Sequence, residues 1–92
     1  MTPTFDLDRA WRLDDRVALR AESFGALAYH FGTRRLSFLK HPTLVRIVES
    51  LDDHESAAAA LGATGVDPTR RQAFERALAT LAGTGMIVER PR

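Results

Sequence analysis

Three histidines, two aspartate pairs and a glycine-bearing loop are the residues here with the chemistry to build a site. His30, His41 and His54 fall in three different segments. No two stand at i, i+4, the spacing that turns two imidazoles toward one metal on a helix, and the chain has no cysteine. A metal centre needs several convergent ligands. The expectation is therefore one strand histidine and two surface histidines, with His30 the one whose strand position bears on a partner. Asp14-Asp15 and Asp52-Asp53 would need burial in a shared cleft to work as acid and base. As loop and helix-entry residues they need nothing further. Gly62-Ala63-Thr64-Gly65 lacks the lysine and spacing of a phosphate loop. Neither Ser23 nor Ser37 stands in the Gly-x-Ser-x-Gly context of a nucleophile. The residue types predict no catalytic residues, no metal and no cofactor.

The whole-chain arithmetic points the same way. Ninety-two residues make one domain with a small core. Hydrophobic residues at 45% and charged residues at 27% place it among folded chains rather than disordered ones. The absence of cysteine excludes disulfide stapling, thiolate zinc and iron–sulfur ligation. A formal charge of +1 supplies no field for nucleic acid or anionic lipid. No signal-peptide pattern opens the sequence, and no apolar run reaches the roughly 18 residues of a membrane span. The expected setting is cytoplasmic, with no membrane partner. A binding module fits this profile better than an enzyme.

The elements that must position any binding residues follow from periodicity. Residues 1–15 mix Pro, Thr and Asp with Phe5, Leu7, Trp11 and Leu13, and read as an arm that docks one or two aromatics on a domain of residues 16–90. From Arg16 the period is two. Val17, Leu19 and Ala21 alternate with Ala18, Arg20 and Glu22. After Ser23-Phe24-Gly25, a second run alternates Leu27, Tyr29 and Phe31 with Ala26, Ala28 and His30. Tyr29 and Phe31 are assigned to the core with Leu27. Gly32-Thr33 turns the chain into a third run, Arg34 to Lys40, with Leu36 and Phe38 on one face. Short turns between three alternating runs predict an antiparallel meander.

At His41-Pro42 the period becomes helical. Leu44, Ile47, Val48 and Leu51 form one stripe, with Pro42 in the first turn. Asp52 and Asp53 are expected to cap a second helix through Glu55 to Leu61. Asp67-Pro68 is a further start signal, for a third helix carrying Phe74, Leu78 and Leu81. Met86-Ile87-Val88 is a final apolar strand or extended segment. The predicted class is α+β, a three-stranded antiparallel β-meander followed by three α-helices.

Such a sheet has a free edge at its third strand. An edge of six or seven residues offers roughly 20 Å of unpaired main chain, which suits capture of an extended peptide. Arg34, Arg35 and Lys40 frame it with positive charge and would suit an acidic peptide; the same cations serve equally well to block aggregation. A winged-helix DNA-binding regulator is the competing reading, since Leu81 to Val88 resembles a helix-to-wing transition and Arg70, Arg71 and Arg76 are placed to meet phosphates. Residues 41–92 count against it, with six basic and seven acidic groups, net −1.

Two stretches carry a resemblance. Phe24-Gly25-Ala26-Leu27-Ala28-Tyr29-His30-Phe31-Gly32-Thr33-Arg34-Arg35-Leu36-Ser37-Phe38-Leu39-Lys40 and Leu81-Ala82-Gly83-Thr84-Gly85-Met86-Ile87-Val88 resemble the mycofactocin-system MftB family. The likeness runs from about Trp11 to Val88. That family is similar in turn to PqqD, the small peptide chaperone of pyrroloquinoline quinone biosynthesis, and both are precursor-peptide recognition elements with a winged-helix-like fold. The resemblance implies a non-catalytic chaperone that binds the leader of the mycofactocin precursor peptide and presents it to a radical S-adenosylmethionine (SAM) maturase. It implies that the leader adds as a strand beside the third strand, against the third helix. Carried onto this chain, the strand is Arg34, Arg35, Leu36, Ser37, Phe38, Leu39 and Lys40. The helix face draws on Arg70, Ala73, Phe74, Ala77, Leu78 and Leu81, and Arg34, Arg35, Lys40, Arg70 and Arg71 pair with leader carboxylates. Leu36, Phe38, Phe74 and Leu78 fit a core stripe equally well. A proline at Ser37 is expected to weaken the leader if the Ser37 N–H points outward. The oligomeric state is open between a monomer and a dimer exchanging strands through the arm.

Overall fold

In the computed structural model, which describes residues 5–90, the chain runs β1 (Trp11–Leu13), β2 (Val17–Glu22), β3 (Gly25–His30), β4 (Leu36–Leu39), α1 (Pro42–Ser50), a 3-10 turn (Leu51–Asp53), α2 (Ala57–Ala63), α3 (Arg71–Gly83) and β5 (Ile87–Glu89). The expected α+β architecture is present: an antiparallel β2-β3-β4 sheet followed by three helices. Residues 1–4 of the expected arm lie outside the described residues. Farther along the arm, β1 pairs antiparallel with β5, Trp11 opposite Glu89 and Leu13 opposite Ile87. Trp11 is buried, packs against Phe5 at 4.9 Å between ring centroids, and donates its indole N–H to the Asp6 carbonyl. The Leu7 and Arg9 carbonyls accept the N–H groups of Ala58 and Ala57, which satisfies donors in the first turn of α2.

The helix signals hold in kind and shift at their starts. Pro42 opens α1, and Leu44, Ile47, Val48 and Leu51 are all buried as the stripe requires. Its N-cap is His41, whose Nδ1 accepts the Thr43 N–H at 3.2 Å. Ser56, not Asp52 or Asp53, caps α2; its hydroxyl accepts the Ala59 N–H, and the two aspartates lie in the 3-10 turn. Asp67-Pro68 starts a turn rather than the third helix. The Asp67 carboxylate is occupied by the N–H and hydroxyl of Thr69, and α3 begins at Arg71. Both hydrogen bonds hold the Asp67 carboxyl below the usual carboxylate range.

The sheet register corrects the assignment of faces. Leu39 and Ser37 of β4 stand opposite Ala26 and Ala28 of β3, and these alanines are buried together with Leu39 and His30. Leu27 and Tyr29 share the other face with Phe38 and Leu36. Tyr29 is half-buried and Phe31 is exposed, so neither belongs to the core. Alternation identifies two faces, but size does not decide between them here. The helices bring Ile47, Val48, Leu61 and Leu78 to the inner side, and alanine on β3 leaves them room. Gly25 is demanded by the same closeness: its φ is +149°, and a Cβ there would stand 2.1 Å from the Leu39 carbonyl oxygen.

Candidate functional site

β4 is the outer strand of its sheet, and its backbone parity can be worked out. The His30 N–H donates to the Arg35 carbonyl, and alternate residues of an antiparallel pair face each other's main chain. With Ala28 opposite Ser37 and Ala26 opposite Leu39, those β4 residues spend their main-chain groups on β3. Leu36 and Phe38 therefore turn their N–H and C=O groups toward the free edge. The edge is shorter than the sequence predicts. Four residues span roughly 13 Å, and Arg34, with φ 62°, belongs to the preceding turn. The Ser37 N–H faces inward, which moves the proline test to Phe38.

His30 builds that turn. It is fully buried, and its Nδ1 accepts the N–H groups of both Gly32 and Thr33 at 3.0 Å. Nδ1 is thus the unprotonated nitrogen, and Nε2 faces Asp14 Oδ1 at 3.8 Å. Asp14 in turn accepts the side-chain and backbone N–H groups of Arg16, which hold its carboxyl below the usual range. The histidine fixes the loop that carries Arg34 and Arg35 into β4.

Beneath the edge, α3 and β4 enclose a groove of about 310 Å³ lined by Leu36, Ser37, Phe38, Leu39, Leu44, Ala77, Thr80 and Leu81. Outside the groove lining, His41 and Arg70, the N-caps of α1 and α3, meet each other. Phe74 packs edge-on against the His41 ring at 5.2 Å. Arg70 Nη1 lies 2.8 Å from His41 Nε2, while the Thr43 N–H holds Nδ1. A neutral imidazole has one acceptor nitrogen and a guanidinium has none. Both ring nitrogens here face donors, so this contact and the helix cap cannot both be satisfied. The first turn of α3 carries no acidic residue and its N-cap Arg70 makes no side-chain cap bond, which leaves this end electropositive. A larger cleft of about 640 Å³ lies on the other side of α3, between residues 5–8 and Gln72, Glu75, Arg76 and Ala79, with no strand residue in its lining.

Comparison with known proteins decides the family. The model of the peptide chaperone MftB family matches residues 10–88. The chain belongs to this family. Among its relatives, the peptide chaperone MftB of Mycobacterium ulcerans is 52% identical over 84 residues, covering 91% of this chain and 77% of the relative. That of Mycolicibacterium smegmatis is 52% identical over 85 residues, 92% and 83% of the two chains. That of Mycobacterium tuberculosis is 49% identical over 86 residues, 94% and 79%. No solved structure matches. Membership makes the chain an accessory protein rather than an enzyme.

Seen as a member of the MftB family, the chain brings some expected residues together and separates others. Leu36, Ser37, Phe38, Leu39, Ala77 and Leu81 share the groove, and Arg70 lies outside its lining, against His41. Arg34, Arg35 and Lys40 are exposed around β4. Phe74 and Leu78 are buried in the core, Leu78 completely. Ala73 is exposed outside the groove lining, and Arg71 is tied to Glu75 at 3.1 Å, which faces the larger cleft. Two residues of the groove lining, Leu44 and Thr80, were not among those expected to bind; the sequence placed Leu44 on the core stripe of α1. Thr80 had a signal, since it stands three residues after Ala77 on the same helix face.

Proposed function

We propose that this chain binds the leader of the mycofactocin precursor peptide by adding it as a strand to β4, and presents it to a radical SAM maturase in the cytoplasm. The supporting observation is the juxtaposition of the outward main chain of Leu36 and Phe38 with the groove formed against Ala77, Thr80 and Leu81. A strand laid on that edge places alternate side chains in the groove and the others beside Leu36 and Phe38. Four edge groups at roughly 1 kcal/mol each supply about 4 kcal/mol, half of what a micromolar complex needs even before the cost of association. Burial in the groove must supply the rest; at ~25 cal/mol per Å², about 160 Å² of apolar area gives a further ~4 kcal/mol. A leader carboxylate beside His41 would accept from Arg70 and from an Nε2–H of His41, leaving Nδ1 to Thr43. That arrangement removes the conflict at the His41 ring.

The test is calorimetric titration with a synthetic leader, run beside duplex DNA. Phe38→Pro is expected to bind about fivefold more weakly than Phe38→Ala, since both lose the ring but only the proline loses the outward donor. Equal affinities in two folded variants would count against strand addition. Binding of DNA with a steep salt slope, and none of the leader, would favour the regulator instead.

A further inference from the structure

The large apolar side chains that the sheet exposes lie on one face. Phe31, Leu36 and Phe38 are 61%, 56% and 59% exposed, and half-buried Leu27 and Tyr29 lie between them. Tyr29 and Phe31 meet edge-on at 5.0 Å, and Phe24, from the β2–β3 turn, reaches Phe38 at 6.0 Å. Singly exposed hydrophobes are ordinary, whereas a contiguous aromatic face is a mark of interaction. The rim of this face is cationic. Arg20 stands opposite Leu27, Arg34 follows Phe31 in the turn, and Lys40 comes two residues after Phe38; Glu22, 3.3 Å from Arg20, is the carboxylate that β2 adds on this side.

Charge selects the occupant. Two copies of this face packed on a two-fold axis would set one cationic rim against another. A leader strand on β4 would lie at the margin of the face and extend it, with its outward side chains continuing the row of Leu36 and Phe38. We infer that the outer face of the β2-β3-β4 sheet docks a second, folded protein whose apolar surface is rimmed by carboxylates, and that this partner contacts the chaperone and the added strand together. The inference rests on strand addition at β4 and makes the maturase that partner. Leader and maturase then occupy the edge and the face of one sheet, so that transfer requires no release of the leader.

The test measures association of the full chain with the purified maturase, with and without leader, for the wild type, Phe31→Ser and Arg20→Glu. Both positions are exposed and lie off the β4 edge, so both variants are expected to fold and to hold the leader as the wild type does. Phe31→Ser should weaken maturase binding about tenfold or more, as truncation of an aromatic anchor does. Arg20→Glu should weaken it at low salt and less at high salt. Leader should tighten the wild-type complex. Wild-type maturase affinity in both variants would overturn the docking surface. Loss of leader binding by either folded variant would overturn the separation of edge and face. Self-association of the wild type, abolished by Phe31→Ser, would give the face to a second copy and overturn the proposal. Maturase binding that responds to Phe31→Ser although the wild type takes no leader would retire strand addition and leave the docking surface standing.

Discussion

Ala26, Ala28 and His30 occupy the helix-facing side of β3, whereas Leu27 and Tyr29, with Phe31 just past the strand, occupy the side away from the helices. The smaller apolar residues are inside and the larger ones face water. On the inner side the bulk comes from α1, α2 and α3, so the strand needs shallow residues that let the helices approach. On the outer side no layer covers the sheet among the described residues. Apolar area left in water adds nothing to folding. The inner face therefore answers to stability and the outer one to what the protein meets.

The sharpest way to break this comparison is to truncate one residue from each face. Leu39→Ala empties a completely buried site on β4 and should cost about 2–5 kcal/mol. Phe31→Ser, although it removes more atoms, should stay within about 0.5 kcal/mol of the wild type. Urea denaturation measures both, and similar losses would erase the distinction between faces. Next in size is His30→Phe, which keeps an aromatic ring in the buried site but removes the acceptor for Gly32 and Thr33. Leaving those donors unmatched should cost about 1–3 kcal/mol. Faster amide exchange at Gly32 and Thr33, beyond the global change, would place the damage in the turn; uniform exchange would make His30 an ordinary core residue.

How much of this was legible depended on the length of each pattern. The α1 stripe from Leu44 to Leu51 spans two helical turns and needed no tertiary information. β1 and β5 are three residues each, too short for a period of two to register, and only their pairing across the chain ends makes them strands. The face of β3 was misassigned because Leu27, Tyr29 and Phe31 outweigh Ala26, Ala28 and His30 in hydrophobicity, and the depth of the helix layer is not written in the strand. At the candidate site, the Arg34 to Lys40 edge could be marked in advance from periodicity and charge, whereas Ala77 to Leu81 could be marked only through the resemblance. His41 reads in the sequence as a surface histidine because its contacts with Thr43, Phe74 and Arg70 exist only in the fold, whereas Arg70 was marked although Asp67 looked like the helix start.

The smallest predicted effect concerns the corner where the two faces meet. Arg16 continues β2 opposite Phe31 on the outer side, His30 lies on the inner side, and Asp14 touches both. The Arg16 hydrogen bonds hold the Asp14 carboxyl below its unfolded value of about 3.9. A group depressed on folding contributes stability above its unfolded pKa and loses that contribution as pH falls through the folded one. Asp14→Asn should therefore be slightly less stable than the wild type near neutrality, and the two should converge below about pH 4. Asp67, whose carboxyl is depressed by Thr69 in the turn before α3, provides the control. Asp67→Asn should show the same convergence on acidification without altering exchange at Gly32 and Thr33. If Asp14→Asn also leaves those amides untouched, the carboxylate acts on Arg16 alone, and the inner and outer faces are coupled through the backbone of the sheet rather than through this corner.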